Sequence, residues 1–223
     1  MGTSEPSTTR TQHPFLQKLI ADQGFHYEGR FWNFTAQVTR FDRLQLYRER
    51  ILSAGYTRGL EIGTFIGLST VFIAEALGWN GGTLDTIDHR LPEQRWGENG
   101  KIRDAHLVAE MFVRESQLTN VTFIKGKSYD VLPTRRRCYD FALLDGDHNY
   151  HAVLLDFLLV ESMLETGGLI VLDDISKKLA TRAGADGGPS RLLPHIFASG
   201  RYDIELISGN QALCRKLRSA GGL

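Results

Sequence analysis

Cysteine is scarce in this chain. Cys138 and Cys214, the two present among 223 residues, fit no metal-ligand spacing and suggest no disulfide framework. A reduced, cytoplasmic setting is therefore the expectation. An excess of one charge is also missing, because 26 Lys plus Arg balance 26 Asp plus Glu. No overall field gathers nucleic acid or anionic lipid, so neither a nucleic-acid nor a membrane partner is expected. The short run Arg135-Arg136-Arg137 reads as a solvated turn before a strand. No apolar run approaches the ~20 residues of a membrane-spanning helix. The opening MGTSEPSTTRTQH has no apolar core of a secretory signal, and its Ser, Thr and Pro content predicts a disordered tail over residues 1–14. Two phosphate-binding patterns are absent as well, G-x-G-x-x-G and the P-loop Lys-Ser/Thr pair. Their absence argues against a nicotinamide-dependent oxidoreductase.

What remains is 42% hydrophobic, enough for a sizeable core. Residues 15–52 read as a mostly helical cap, broken at Gly24 and Gly29, with Phe31-Trp32-Asn33-Phe34 expected to pack against the core. From residue 53 onward the pattern alternates. Strands are expected at 57–62, 83–87, 121–124, 139–144 and 168–172, with helices at 69–77, 101–118 and 151–164 between them. Such alternation predicts parallel βαβ units with helices on both faces of the sheet. Two final strands, 202–207 and 212–217, lie too close for a helical crossover and should form an antiparallel hairpin at one edge. Ligands of such an open α/β sheet bind at the carboxyl ends of its strands.

The first of those ends reads Leu60-Glu61-Ile62-Gly63-Thr64-Phe65-Ile66-Gly67-Leu68-Ser69-Thr70. Gly63 lets the backbone approach a ligand, and Gly67 lets turn and helix pack closely. The following helix start offers free N–H groups and partial positive charge to a carboxylate or phosphate. Glu61 repels phosphate but suits a cationic group. A ligand carrying an ammonium, a carboxylate and a ribose would use all of these features; a plain strand–helix turn is the alternative. The second strand ends Thr86-Ile87-Asp88-His89. An acid there, roughly 20 residues beyond a glycine turn, is placed to accept ribose hydroxyls.

Acids also close two further strands. One ends Leu144-Asp145-Gly146-Asp147-His148 and the other Leu172-Asp173-Asp174. In a parallel sheet these tips are neighbours, and converging carboxylates repel. Either a divalent cation resolves the repulsion, with oxygen donors suiting Mg2+, Mn2+ or Ca2+, or the acids cap the segments that follow.

In all these motifs the chain resembles class I S-adenosylmethionine-dependent methyltransferases. LEIGTFIGLST matches that family's first motif and TIDH its second. FIKGKSYDVL matches its adenine-holding segment, and YDFALLDGDHNY and GGLIVLDDI its fourth and fifth strands. The resemblance runs from about residue 40 to the C-terminus. It implies a Rossmann-like α/β fold with a seven-stranded sheet, parallel except for the C-terminal hairpin, spanning residues 53–223. It implies S-adenosylmethionine contacts from Glu61, Gly63, Thr64, Phe65, Gly67, Ser69, Asp88, His89, Ser128, Tyr129 and Asp145. The acid pattern is similar to the catechol O-methyltransferase branch and its bacterial sugar and phenol relatives. That likeness implies Mg2+ held by Asp145, Asp173 and Asp174, with Asp174 standing where sugar-modifying relatives also carry Asp and the animal catechol enzyme Asn. It implies His148 as the base that deprotonates the acceptor hydroxyl, with Asp147 as its competitor. The expected acceptor is a small phenol or sugar of secondary metabolism, and a homodimer is the default assembly. A metal-free enzyme using His148, and a non-catalytic cofactor-binding module, are the rival readings. The glycine-rich stretch 176–190 reads as a lid that shapes the acceptor pocket together with the N-terminal aromatics.

Overall fold

In the computed structural model, residues 11–34, 41–89, 105–175, 187–207 and 210–217 are described. Four elements precede the main sheet: α1 (Pro14–Asp22), β1 (Gly24–Tyr27), β2 (Arg30–Asn33) and α2 (Phe41–Ala54). The mostly helical reading of this stretch needs correction, because its two glycine breaks belong to a β-hairpin. Glu28 and Gly29 sit at φ 49° and 72° between the paired residues Tyr27 and Arg30. This is a two-residue turn of the twist that hairpins favour. At Gly24 a Cβ would lie 2.5 Å from the Trp32 carbonyl oxygen, so the strands approach too closely there for any side chain. The predicted tail is also shorter at its described end. His13 Nδ1 accepts the Phe15 N–H at the start of α1, and the His13 N–H reaches Glu75; residues 1–10 lie outside the described residues.

The remaining strands are β3 (Arg58–Ile62), β4 (Thr83–Asp88), β5 (Val121–Lys125), β6 (Tyr139–Leu144), β7 (Leu164–Leu172), β8 (Tyr202–Ile207) and β9 (Gln211–Lys216). They form one seven-stranded sheet in the order β5-β4-β3-β6-β7-β9-β8. Pairing is parallel from β5 to β7 and antiparallel for β7–β9 and β9–β8. This is the expected Rossmann-like sheet with its C-terminal hairpin. β7 begins before the predicted Gly168, with Leu164 already paired to Tyr139, and the register shifts before Leu169 meets Phe141. Residues 165–168 stand opposite Asp140 alone, and Gly167 within them is at φ 84°.

Strand residues alternate between two cores, as a sheet covered on both faces requires. Phe141, Leu143, Leu169 and Val171 face the core that holds α3 (Leu68–Trp79) and the buried residues of α1 and α2. Ala142, Leu144, Ile170 and Leu172 face α6 (Tyr150–Met163) and α7 (Gly188–Ala198). Each fully buried Leu, Ile or Phe contributes roughly 1.5–3 kcal/mol through area removed from water. The aromatic hairpin joins the first core: Phe25 meets Phe34 and Phe112, the latter edge-on at 5.0 Å, while Phe31 stays exposed. Phe112 belongs to α4 (Ala105–Glu115); residues 101–104 of the predicted helix are outside the described set. Among the described residues no helix is long and apolar enough to cross a membrane.

Candidate active site

The β3–α3 turn is shaped by what lies behind it. Gly63 has φ 102°, and a Cβ there would fall 2.1 Å from the Asp145 carbonyl oxygen. Only glycine lets the tips of β3 and β6 come so close. The Phe65 backbone is also left-handed, at φ 49°, and its N–H donates to Asp88 Oδ2 at 3.0 Å. Asp88 thereby pins the turn to the tip of β4. Gly67 begins α3 at φ 77° and packs directly on Ala109, where a Cβ would lie 2.6 Å from the alanine Cβ. It serves packing, and it is not among the residues that line the cleft.

Glu61 also stands apart from the cleft. It is wholly buried and accepts three hydroxyls: Ser69 Oγ at 2.5 Å, and Thr70 Oγ1 and Thr86 Oγ1 each at 2.6 Å. Burial pushes its carboxyl up to about 7, against the pull of those donors. Glu61 lines neither of the two cavities described below. Its side chain ties the first turn of α3 to β3 and β4, and so positions the turn from behind.

In front of the turn lies a cleft of about 210 Å³. Gly63, Phe65, Asp88, His89 and Asp145 line one part of it, and Ser128, Tyr129, Asp147 and Asp156 line the rest. Ser128 starts a short helix, α5 (Ser128–Val131), which the sequence pattern did not reveal. Asp147 is exposed, and its Oδ1 accepts the Asn149 N–H at 2.9 Å and the Asn149 side-chain amide at 2.7 Å. That turn leads into α6 and engages Asp147 in a local structural role.

A second, smaller cavity of about 100 Å³ meets the first at Gly63, Phe65 and Asp145. Thr64 and Ser69 line it from α3 and its approach, Arg43 and Tyr47 from α2, and Asp173 and Gln211 from the strand tips. No side chain caps α3, so its first turn opens here. Gln211 Nε2 donates to Asp173 Oδ1 at 2.8 Å and also contacts the Tyr47 hydroxyl. Arg43 Nη1 is 3.5 Å from Asp173 Oδ1. Two buried atoms of this cavity, Arg43 Nε and Gln211 Oε1, have no hydrogen-bond partner among the described residues, as in a cavity built for a polar ligand.

Asp145, Asp173 and Asp174 lie near enough to act on one another electrostatically. Asp145 lines both cavities, and the surrounding protein together with Asp173 and Asp174 pushes its carboxyl well above the usual carboxylate range. Burial and then Asp174 raise Asp173 as well. His148 Nε2 sits 3.0 Å from Asp174 Oδ2 and 3.8 Å from Asp145 Oδ1, so the imidazole bridges the two strand tips. Its interaction with Asp174 lifts its pKa above the ordinary histidine value, against the effect of burial. The other Asp174 oxygen accepts the Asn210 amide, from the turn before β9. Among the described residues no group of three His, Cys, Asp or Glu side chains is arranged to hold a metal ion.

The end of the predicted lid is helical. Gly188 and Pro189 form the first turn of α7, and the Gly188 N–H donates to the His148 carbonyl at 2.9 Å. A Cβ at Gly188 would fall 2.7 Å from the backbone of His148, Asn149 and Tyr150, so this junction is closed backbone to backbone. Residues 176–186 of that lid reading lie outside the described residues. Arg43, Tyr47, Gln211 and Asp156 were not singled out from sequence. Arg43 and Tyr47 share α2, Asp156 is on α6 and Gln211 on β9, and none has a neighbouring motif to mark it.

The fold and this set of strand tips define a class I methyltransferase architecture. A family model described as a methyltransferase domain matches residues 60–175, more than half of the chain, and the chain belongs to that family. Solved structures of similar shape include a candidate O-methyltransferase from Klebsiella pneumoniae, with TM-score 0.70 and 17% identity over 92% of this chain and 90% of that one. The O-methyltransferase TomG from Streptomyces achromogenes, involved in tomaymycin synthesis and solved with S-adenosylmethionine, gives TM-score 0.66 and 19% identity over 95% and 93%. An O-methyltransferase from Bacillus cereus, solved with S-adenosylhomocysteine, gives TM-score 0.66 and 17% identity over 94% of each chain. Among curated sequences, protein R132 of Acanthamoeba polyphaga mimivirus is 41% identical over 61 residues. That match covers 25% of this chain and 28% of the viral protein.

Proposed function

We propose that this chain transfers the methyl group of S-adenosylmethionine to a hydroxyl oxygen of a small phenolic or sugar acceptor, assisted by a divalent cation. The observation that carries the reading is His148, bridging Asp145 and Asp174 beside the junction of the two cavities. In this reading Asp88 takes the ribose hydroxyls, the Ser128 end of the cleft takes the base, and the start of α3 takes the methionine carboxylate. The acceptor oxygen attacks the sulfonium methyl in line, the carbon–sulfur bond breaks toward sulfur, and the hydroxyl proton leaves to His148 Nδ1, because Nε2 faces the Asp174 carboxylate. Asp174 orients the imidazole and stabilises the imidazolium that results. A pKa lifted by Asp174 makes His148 a better proton acceptor than a free histidine. The methyltransferase family and the O-methyltransferases of similar shape support this assignment.

Asp145, Asp173 and Asp174 fit an oxygen-preferring dication in kind, because they are carboxylates whose burial and mutual repulsion a cation would relieve. Such an ion, when bound, lowers the pKa of a coordinated hydroxyl. A cation-free reaction is the second reading. It is favoured by Arg43 and His148, which already set positive or protonatable groups against Asp173 and Asp174.

The deciding experiment is calorimetric titration of Mg2+ into chain saturated with S-adenosylmethionine, with Asp174→Ala alongside. Saturable heat that the variant lacks is the expected result. No heat, with the cofactor bound, removes the cation and leaves His148 as sole activator. Failure to bind S-adenosylmethionine at all removes the whole assignment.

A further inference from the structure

One carboxylate in the cleft has no part in the reaction just described. Asp156, on α6, is 6% exposed and lines the cleft beside Ser128, Ala152 and Gly146. Its Oδ1 accepts the Ser128 hydroxyl. Among the described residues no donor reaches Oδ2, and no basic side chain pairs with the group. Burial raises its carboxyl to about 6, although the Ser128 hydroxyl pulls the other way. Oδ2 is not sealed in the protein but open to the cleft, so a donor on a ligand entering there can take the place of water.

Its position says which part of a ligand that is. The cleft joins the second cavity at Gly63, Phe65 and Asp145, and Asp88 stands on the wall near that junction. With ribose at Asp88 and the methionine tail toward Ser69, the base is left the end closed by Ser128 and Asp156. We infer that Asp156 selects the purine of the cofactor, its free carboxylate oxygen accepting the exocyclic 6-amine. This inference rests on the S-adenosylmethionine reading. A 6-amino purine donates at that point. A 6-oxo purine presents a second acceptor to a buried carboxylate and is repelled.

The test is calorimetric titration of S-adenosylhomocysteine and of its deaminated counterpart, S-inosylhomocysteine, into the full chain. Asp156→Ala, the isosteric Asp156→Asn and Ser128→Ala are compared with the native chain. The native chain is expected to prefer the adenosyl ligand by about 30-fold or more, the loss that follows when a site built for a hydrogen bond meets an analogue lacking it. Both Asp156 variants should bring that ratio below about 3. Ser128→Ala keeps the carboxylate and should retain most of it. A merely structural Asp156 would weaken both ligands alike and leave the ratio unmoved. Should Asp156→Ala fail to fold, Asp156→Asn carries the same comparison. No preference in the native chain, or an unchanged ratio in the variants, overturns the inference while S-adenosylhomocysteine binding upholds the cofactor reading. If neither ligand binds the native chain, both fall together.

Discussion

Glu61 is a carboxyl caught between two opposing demands, and replacing it with Gln separates them. Burial favours the neutral acid, whereas Ser69, Thr70 and Thr86 aim hydroxyls that favour the ionised one. Burial wins, moving the group from its ordinary 4.5 to about 7. The folded state therefore holds this proton more tightly than the unfolded chain. The contribution to stability is full below pH 4.5 and is lost as pH rises toward and through 7. At about 1.36 kcal/mol per unit the complete loss is about 3 kcal/mol, and most of it falls between pH 5 and pH 8. Urea unfolding of the cofactor-free chain at those two pH values gives the native slope, and Glu61→Gln gives the slope without this group. Gln cannot accept all three hydroxyls, so the variant carries a pH-independent cost of about 1–2 kcal/mol. The measured quantity is the difference between the two slopes. The native chain should lose about 2–3 kcal/mol more than the variant from pH 5 to pH 8. Parallel pH curves would mean that the hydroxyls, not burial, set the ionisation of Glu61.

Two further outcomes are expected. Gly63→Ala places a methyl against the Asp145 carbonyl and an L side chain at φ 102°. It should cost about 2–4 kcal/mol in urea unfolding and weaken S-adenosylhomocysteine binding more than tenfold; native-like values for both would contradict the close approach of the two strand tips. For His148, an NMR titration of the imidazole Cε1–H in chelator-treated, cofactor-free chain should give a pKa above 6.5, and Asp174→Asn should lower it. A native value at or below 6.5 would remove Asp174 as the partner that tunes the base.

The alternation of apolar strands and amphipathic helices made the sheet legible, because a period of two and a period near 3.6 are local properties. LEIG, TID, LLDGDH and VLDD were legible for a different reason, since each acid or glycine ends an apolar run and so marks a strand tip. The N-terminal hairpin was hidden. Its strands have four residues each, and its turn uses Glu28-Gly29 where Asn-Gly is the usual signal. α5 has four residues, too short for any periodicity to register. Arg43, Tyr47 and Gln211 reach the acid cluster only through tertiary packing, since α2 and β9 are distant in sequence from the tips they meet. Glu61 was legible as part of a motif, but its three hydroxyl partners, Ser69, Thr70 and Thr86, come from α3 and β4 and were not.

The contact between Gly63 and the Asp145 carbonyl leaves no slack between β3 and β6. Backbone meets backbone there, with no flexible side chain between them to yield. Gly188 closes onto the His148 segment in the same way, so two bare seams fasten α7, the His148 turn and the Gly63 turn in series. Pressing any one of them toward its neighbour meets backbone, not a side chain that could turn away. At these two seams the floor of the site has nothing that can rotate aside, whereas Phe65, Tyr129 and Arg43 wall it with side chains that can.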